Sequence, residues 1–264
     1  MTSLAIDSAA NPRVRRLKKL MASARARRAE GVFVAEGIHL AQAMLEAGQK
    51  PACVYYAREA VSRETRAILE ACRDAPCFAL SKAAFAAATG LEAGSEILFE
   101  AKLPEPARPA GPVDAVYLDG VQDPGNVGTI LRTARAAGVR FVAVSPDTAD
   151  VFSPKVLRAA MGAHFALAIA LDVEPSELKA LYGAKVFAAE AKGGVDLYEG
   201  DWAATPTVWV MGSEGAGVRD ATLAFCEERR YIPIAPEVES LNVAAAAAVC
   251  LFEQRRRRTA RGGL

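Results

Sequence analysis

IPIAPEVESLNVAAAAAVC, residues 232–250, is the stretch on which the fold reading turns. Tyr231 to Ile234 reads as a short strand, a polar loop follows, and the alanine run reads as a helix. Pro233 sits awkwardly in a central strand, because it removes a ladder donor. Ser240 and Asn242 stand at the mouth of the helix, where backbone amides and side-chain donors face whatever lies beyond. The loop looks built to hold a ligand.

Two stretches upstream extend this picture. In DPGNVGTILRTARAAG, residues 123–138, a turn leads through Asn126 into a helix ending at Gly138. Val127, Ile130, Leu131 and Ala134 make its buried stripe, and Gly128, Arg132 and Arg135 fall on another face. Gly128 should let a ligand or partner backbone approach just below Arg132. In VWVMGSEGAGV, residues 208–218, Gly212, Gly215 and Gly217 follow an apolar run. They let the loop bend tightly and expose backbone amides, as nucleotide-cradling turns do. Taken singly, Arg132 reads as a surface arginine, Glu214 as a solvated loop charge and Ser240 as a helix cap.

The surrounding pattern is strand alternating with helix. Val113–Leu118, Phe141–Ser145, Lys185–Ala189 and Thr207–Met211 suit buried parallel strands. Helices are expected at about 127–137, 154–161, 175–182, 217–228 and 241–257, which argues for an α/β doubly wound sheet. Residues 103–112, LPEPARPAGP, hold four prolines and read as a stiff linker. The expected division is residues 1–103, a linker at 104–112, and a second domain at 113–264. Before the linker, the helix 38–47, the strand 52–56, the helix 63–73 and the strand 78–80 alternate, and Ser81 can cap a helix containing Phe85.

Composition narrows the class. Hydrophobic residues make up 52% of the 264, so a sizeable core is available and a disordered chain is excluded. No run approaches the roughly 18 apolar residues of a membrane span, and the N-terminal charges stand in the wrong order for a signal peptide. A cytoplasmic protein is the default expectation. The five cysteines have no zinc-type pairing and the histidines number two, so no metal site is expected and reduced, buried thiols are. Net charge is only +1, yet eight basic residues crowd into positions 13–28 and Arg255–Arg258 and Arg261 close the chain. Such clusters read as phosphate-facing surface or as solvated helix faces.

The three stretches together are similar to a known signature. Asn126-x-Gly128-x-x-x-Arg132-Thr-Ala, Gly212-x-Glu214-x-x-Gly217, and Ile232-Pro233 with Glu239-Ser240-Leu241-Asn242-Val243 resemble the motifs of the SpoU (TrmH) family of RNA ribose 2'-O-methyltransferases. The resemblance implies a C-terminal α/β fold with a deep trefoil knot and S-adenosylmethionine as cofactor. It implies a catalytic set of Arg132, Asn126, Glu214, Ser240 and Asn242. Gly212, Gly217, Ile232, Leu241 and Asn242 would meet the cofactor. Gly31-Val-Phe-Val-Ala-Glu36-Gly37 resembles the smaller α/β L30e-like substrate-binding domain, with a departure at Gly94-Ser95-Glu96-Ile97-Leu98. Pro154-Lys155-x-x-Arg158 resembles another family helix, with Ala160 where serine is common. RNA contacts are therefore expected at Arg13, Arg15, Arg16, Lys18, Lys19, Lys155 and Arg158. The implied partners are RNA, ribosomal before transfer RNA, and a second copy in a homodimer. A non-catalytic RNA-binding relative is the alternative, and a Rossmann dehydrogenase fails because Gly125-x-x-Gly128 lacks the required glycine spacing.

Overall fold

The computed structural model describes residues 4–89, 95–105 and 108–260. Gly94, Arg261 and two linker residues, 106 and 107, lie outside them. The chain forms two compact units, residues 1–103 with 150–165, and residues 104–149 with 166–264.

In the first unit, β1 (Leu4–Ile6), β2 (Val32–Glu36), β3 (Cys53–Ala57), β4 (Cys77–Leu80) and β5 (Ile97–Lys102) form a sheet in the order β1-β4-β3-β5-β2. β1, β4 and β3 run parallel, and β5 is antiparallel to both of its neighbours. Helix α1 (Pro12–Ala22) starts at Asn11, whose side chain accepts from the Arg13 amide. It buries Val14, Leu17, Leu20 and Met21 at helical spacing, which turns most of its cations outward. Ser23, Ser62 and Ser81 cap α2 (Ala24–Glu30), α4 (Arg63–Ala71) and α5 (Lys82–Ala88), while α3 (Ile38–Glu46) follows Gly37.

Of the next two helices, α6 (Pro124–Ala137) and α7 (Pro154–Ala160), the second packs on β2 of this unit. Its segment is apolar: Phe152 stacks 5.0 Å from Phe33, and a Cβ at Gly162 would stand 2.4 Å from that of Ala43. A cut at the proline-rich linker misses this return of the chain. Buried Arg27 also ties α2 to the segment through an ion pair with Asp150.

The second unit is a parallel sheet of β6 (Ala115–Asp119), β7 (Phe141–Val144), β8 (Ala168–Ala170), β9 (Lys185–Glu190), β10 (Val195–Asp196), β11 (Thr207–Gly212) and β12 (Glu228–Tyr231), in the order β10-β12-β9-β11-β6-β7-β8. Every residue of β6 and β11 is buried, as their unbroken apolar runs require of central parallel strands. Asp123 caps α6, and its α-helical turns begin at Pro124, three residues before the expected start.

Three expectations are corrected here. The strand placed at Tyr231–Ile234 instead ends at Tyr231, because Pro233 has no donor with which to continue a ladder. Beyond α8 (Leu178–Tyr182), the helix expected over 217–228 shrinks to α9 (Asp220–Leu223), since β12 takes up the residues from Glu228. The arginines before α10 (Val243–Thr259) ends do not form a phosphate-facing patch. Arg255 donates to the Ala137 carbonyl at 3.3 Å, and Arg256 and Arg257 pair with Glu253 at 2.7 and 2.6 Å. Arg257 also donates to Gly200 O at 2.6 Å, and Arg258 to Asp114 at 2.8 Å and Thr205 O at 3.0 Å. Arg257 and Arg258 thus fasten α10 to neighbouring loops and Arg255 ties it to α6, while Arg256 stays on its own helix. Trp209 of β11 completes the clamp, donating to Gln254 at 2.5 Å. All five cysteines are free, four of them buried.

Candidate functional site

The C-terminal ends of β9, β11 and β12 open on a cavity of about 640 Å³. From β6 the chain runs outward through β7 and β8, and from β9 it builds the opposite side. Parallel sheets bind ligands at such a reversal, outside the strands' carboxyl ends. Gly212, Gly217, Ile232, Ser240, Leu241 and Asn242 are in the wall, so all the residues expected to meet a cofactor come together. The volume lies within the roughly 300–1,000 Å³ usual for small-molecule sites.

The turn after β11 is shaped by its glycines. Ser213 and Gly217 exchange backbone hydrogen bonds of 2.9 and 3.0 Å, and Gly217 has φ of +70°. A Cβ on Gly212 would lie 2.1 Å from the Gly217 carbonyl carbon and 2.2 Å from the Val218 nitrogen. Backbone cannot yield by that much, so Gly212→Ala should reopen the turn. The expected result is at least about a tenfold loss of affinity for whatever the turn cradles, read by calorimetry on folded protein. Unchanged affinity would remove the turn from the site.

Glu214, at the tip of this turn, joins the motifs. Its carboxylate accepts from the amides of Gln122 and Asp123 at 3.2 and 3.1 Å and from Asn126 Nδ2 at 2.8 Å. Asn126 Oδ1 accepts in turn from Asn242 Nδ2 at 3.0 Å, and Asn242 Oδ1 caps α10 by accepting from Ala244 and Ala245. Burial would raise the Glu214 carboxyl, but the hydrogen bonds from Asn126 and the backbone outweigh it and hold the group below the usual carboxylate range. The cap of α10 is thus Asn242, and Ser240 is an exposed residue of the cavity wall.

Arg132 is not in the cavity wall. It lies on α6 six residues beyond Asn126, about 9 Å along the axis. It is exposed and makes no hydrogen bond or ion pair among the described residues. Gly128 is buried within α6, the helix on which α10 packs.

The expected RNA contacts lie on the first unit. Arg15, Lys18, Lys19, Lys155 and Arg158 are exposed. Arg13 lies over the Phe78 ring at 4.3 Å, and Arg16 is held by Glu30 at 2.6 Å and Glu100 at 2.7 Å. Those bonds raise the Arg16 pKa further and give it a structural task.

Sequence reasoning missed two groups. Asp119, fully buried at the end of β6, accepts from the Arg219 backbone at 3.0 Å and from its Nε at 2.8 Å. Glu190, closing β9, is also in the cavity wall. Its single signal was a carboxylate ending an apolar strand.

Residues 115–252 match the SpoU rRNA Methylase family, and residues 11–98 match the MRM3-like substrate binding domain. The 23S rRNA (guanosine(2553)-2'-O)-methyltransferase RlmP of Bacillus subtilis is 36% identical over 95% of this chain and 98% of its own. A 23S rRNA (guanosine-2'-O-)-methyltransferase RlmB of Pseudomonas syringae is 37% identical, covering 63% of this chain and 68% of its own. Among solved structures, the SpoU methyltransferase AviRb of Streptomyces viridochromogenes, in complex with AdoMet, superposes with a TM-score of 0.87 at 26% identity, over 96% of this chain and 100% of that one. With the family match spanning more than half of the chain and the parallel sheet ordered as described, the protein belongs to the SpoU rRNA methylase family and has its α/β-knot fold.

Proposed function

We propose that this protein transfers a methyl group from S-adenosylmethionine to a ribose 2'-hydroxyl of ribosomal RNA. The observation that carries the reading is the Asn242–Asn126–Glu214 chain, which joins three separate motifs at the rim of one cavity. The relatives matched over most of their length are named as 23S rRNA guanosine 2'-O-methyltransferases, which supports a guanosine of the large ribosomal RNA as target. A transfer-RNA ribose is the second reading.

The residues fit the cofactor. The Gly212–Gly217 turn leaves no room for a side chain at its base, and Ile232 and Leu241 stand in the same wall. These would hold the nucleoside part, and the bound cofactor supplies an electrophilic methyl on a sulfonium. Glu214 and Asn126 brace the start of α6, which carries Arg132. A guanidinium holds its proton too tightly to act as a base. Its work is to clamp the phosphate beside the target ribose and to place positive charge where the alkoxide develops. Ser240 and Asn242 orient the ribose at the cavity mouth. In the in-line displacement the 2'-oxygen would take the methyl, the neutral thioether S-adenosylhomocysteine would leave, and the hydroxyl proton would pass to the adjacent clamped phosphate. Positioning therefore matters more than a formal protein base.

Arg15, Lys18, Lys19, Lys155 and Arg158 would contact RNA phosphates. Each single-strand contact contributes roughly 0.7 to the log–log salt slope, so neutralising Arg15, Lys18 and Lys19 should flatten it by about 2, with cofactor affinity unchanged. An unaltered slope in filter binding would make α1 a solvated face. We also assign a homodimer, supported by Phe252 of α10 at 46% exposure, and a cytoplasmic location beside the ribosome. Light scattering tests the first.

The test of function is direct. Calorimetry should show S-adenosylmethionine binding, and mass spectrometry of in vitro ribosomal and transfer RNA transcripts should show one new ribose methylation in the former. Binding of neither cofactor nor product would overturn the reading.

A further inference from the structure

The cavity wall contains a carboxylate that the three motifs do not use. Glu190 ends β9, beside the Gly212–Gly217 turn, and a Cβ at Gly217 would lie 4.0 Å from its Oε1. That oxygen is buried and has no hydrogen-bond partner among the described residues. Burial pushes the carboxyl up, with the Val218 amide and the charge of Arg229 pulling the other way. Among the described residues no ion pair offsets the cost, and Arg229 acts only through its charge. The other buried charge in the wall is Arg230, which is paired with Glu228 at 2.6 Å and bound to the carbonyls of Asp196 and Glu199. Glu214 is held by Asn126 and the backbone. Glu190 is therefore a half-buried anion in a wall whose two cations are Arg230, already paired, and Lys192, which is exposed to solvent.

We propose that Glu190 is a specificity-determining residue of the cofactor site, whose negative charge favours the cationic methyl donor over its neutral demethylated product. This rests on the methyltransferase reading. The sulfonium is the difference in charge between the two: transfer of the methyl removes it, and with it the attraction. In an effective dielectric of about 20, one charge across a cavity of this size shifts affinity by roughly tenfold. The preference helps exchange product for substrate after each turnover.

Calorimetry on Glu190→Gln tests this with three probes: S-adenosylmethionine, S-adenosylhomocysteine and sinefungin, which carries an ammonium where the methylated sulfonium stands. The two cationic ligands should weaken by about tenfold and S-adenosylhomocysteine should stay within about twofold. Glu190→Asp should recover part of the preference by restoring the charge. Equal loss for all three ligands would make Glu190 a structural residue, and no loss for any would make it a bystander. Either result overturns the proposal. Wild-type protein that fails to bind S-adenosylmethionine would instead sink the reading beneath it.

Discussion

Arg132→Ala is expected to cut methyl transfer by about a hundredfold or more while S-adenosylmethionine affinity stays within about threefold. Positioned electrostatic groups contribute at that level, and Arg132 stands outside the cavity wall, so the two readouts separate. The protein should remain folded, because an exposed side chain without intramolecular bonds changes stability by no more than about 0.5 kcal/mol. Arg132→Lys should recover only part of the rate, since an ammonium cannot grip a phosphate through a planar fork. Single-turnover rates and calorimetry on the same preparations decide the matter. Near-normal turnover in the alanine variant would remove Arg132 from the reaction, and a matching collapse of cofactor affinity would move it into the cofactor site.

The second large effect concerns Arg219. Its guanidinium and backbone amide both serve Asp119, whose side chain is fully buried, and it reaches Asp147 at 2.7 Å. Arg219→Met keeps the aliphatic stem and leaves a buried carboxylate uncompensated. Breaking a buried pair costs about 3–5 kcal/mol, and the 40% exposure of the Arg219 side chain lets water screen it, which brings the expected loss to about 2–3 kcal/mol. Thermal unfolding should show a drop of several degrees. Asp119→Asn with Arg219→Met should regain part of it, because the buried charge is then gone. A single Arg219→Met variant as stable as the parent would mean that Asp119 finds another partner.

The central strands, the capped helices and the ligand loop were legible because each is written in a local pattern. Apolar runs marked β6, β9 and β11, and Ser81 and Asn242 sit where short polar side chains cap helices. The short edge strands β8 and β10 carry too few residues to leave a period. The α9 region reads as a longer helix because residues 217–228 have fair helical propensity, which pairing of β12 with β9 overrides. The arginines at 255–258 misled for a different reason. Charge density says nothing about partners: Arg256 pairs with Glu253 on its own helix, while Arg257 and Arg258 reach carbonyls and a carboxylate 53 to 144 positions away in the chain. Asp119 with Arg219, 100 positions apart, and Glu190 beneath the glycine turn escaped for the same reason. The family resemblance supplied the long-range information that composition lacks, and it grouped Asn126, Glu214 and Asn242, which the structure joins by hydrogen bonds.

The position of β11 between β6 and β9 sets the order in which this molecule can become active. The strand that lies beside the earliest one of its sheet is among the last to be synthesised, and it must enter between two that precede it. Asn242, which completes the rim, follows later still, and α10 closes over the sheet by its arginine clasps. Pairings of such long sequence separation form slowly. A ribosome-bound intermediate ending before Asn242 holds Asn126 and Glu214 yet lacks the residue that ties Asn126 to the start of α10 and closes the cavity wall. The enzyme cannot begin to consume methyl donor until its own folding is over.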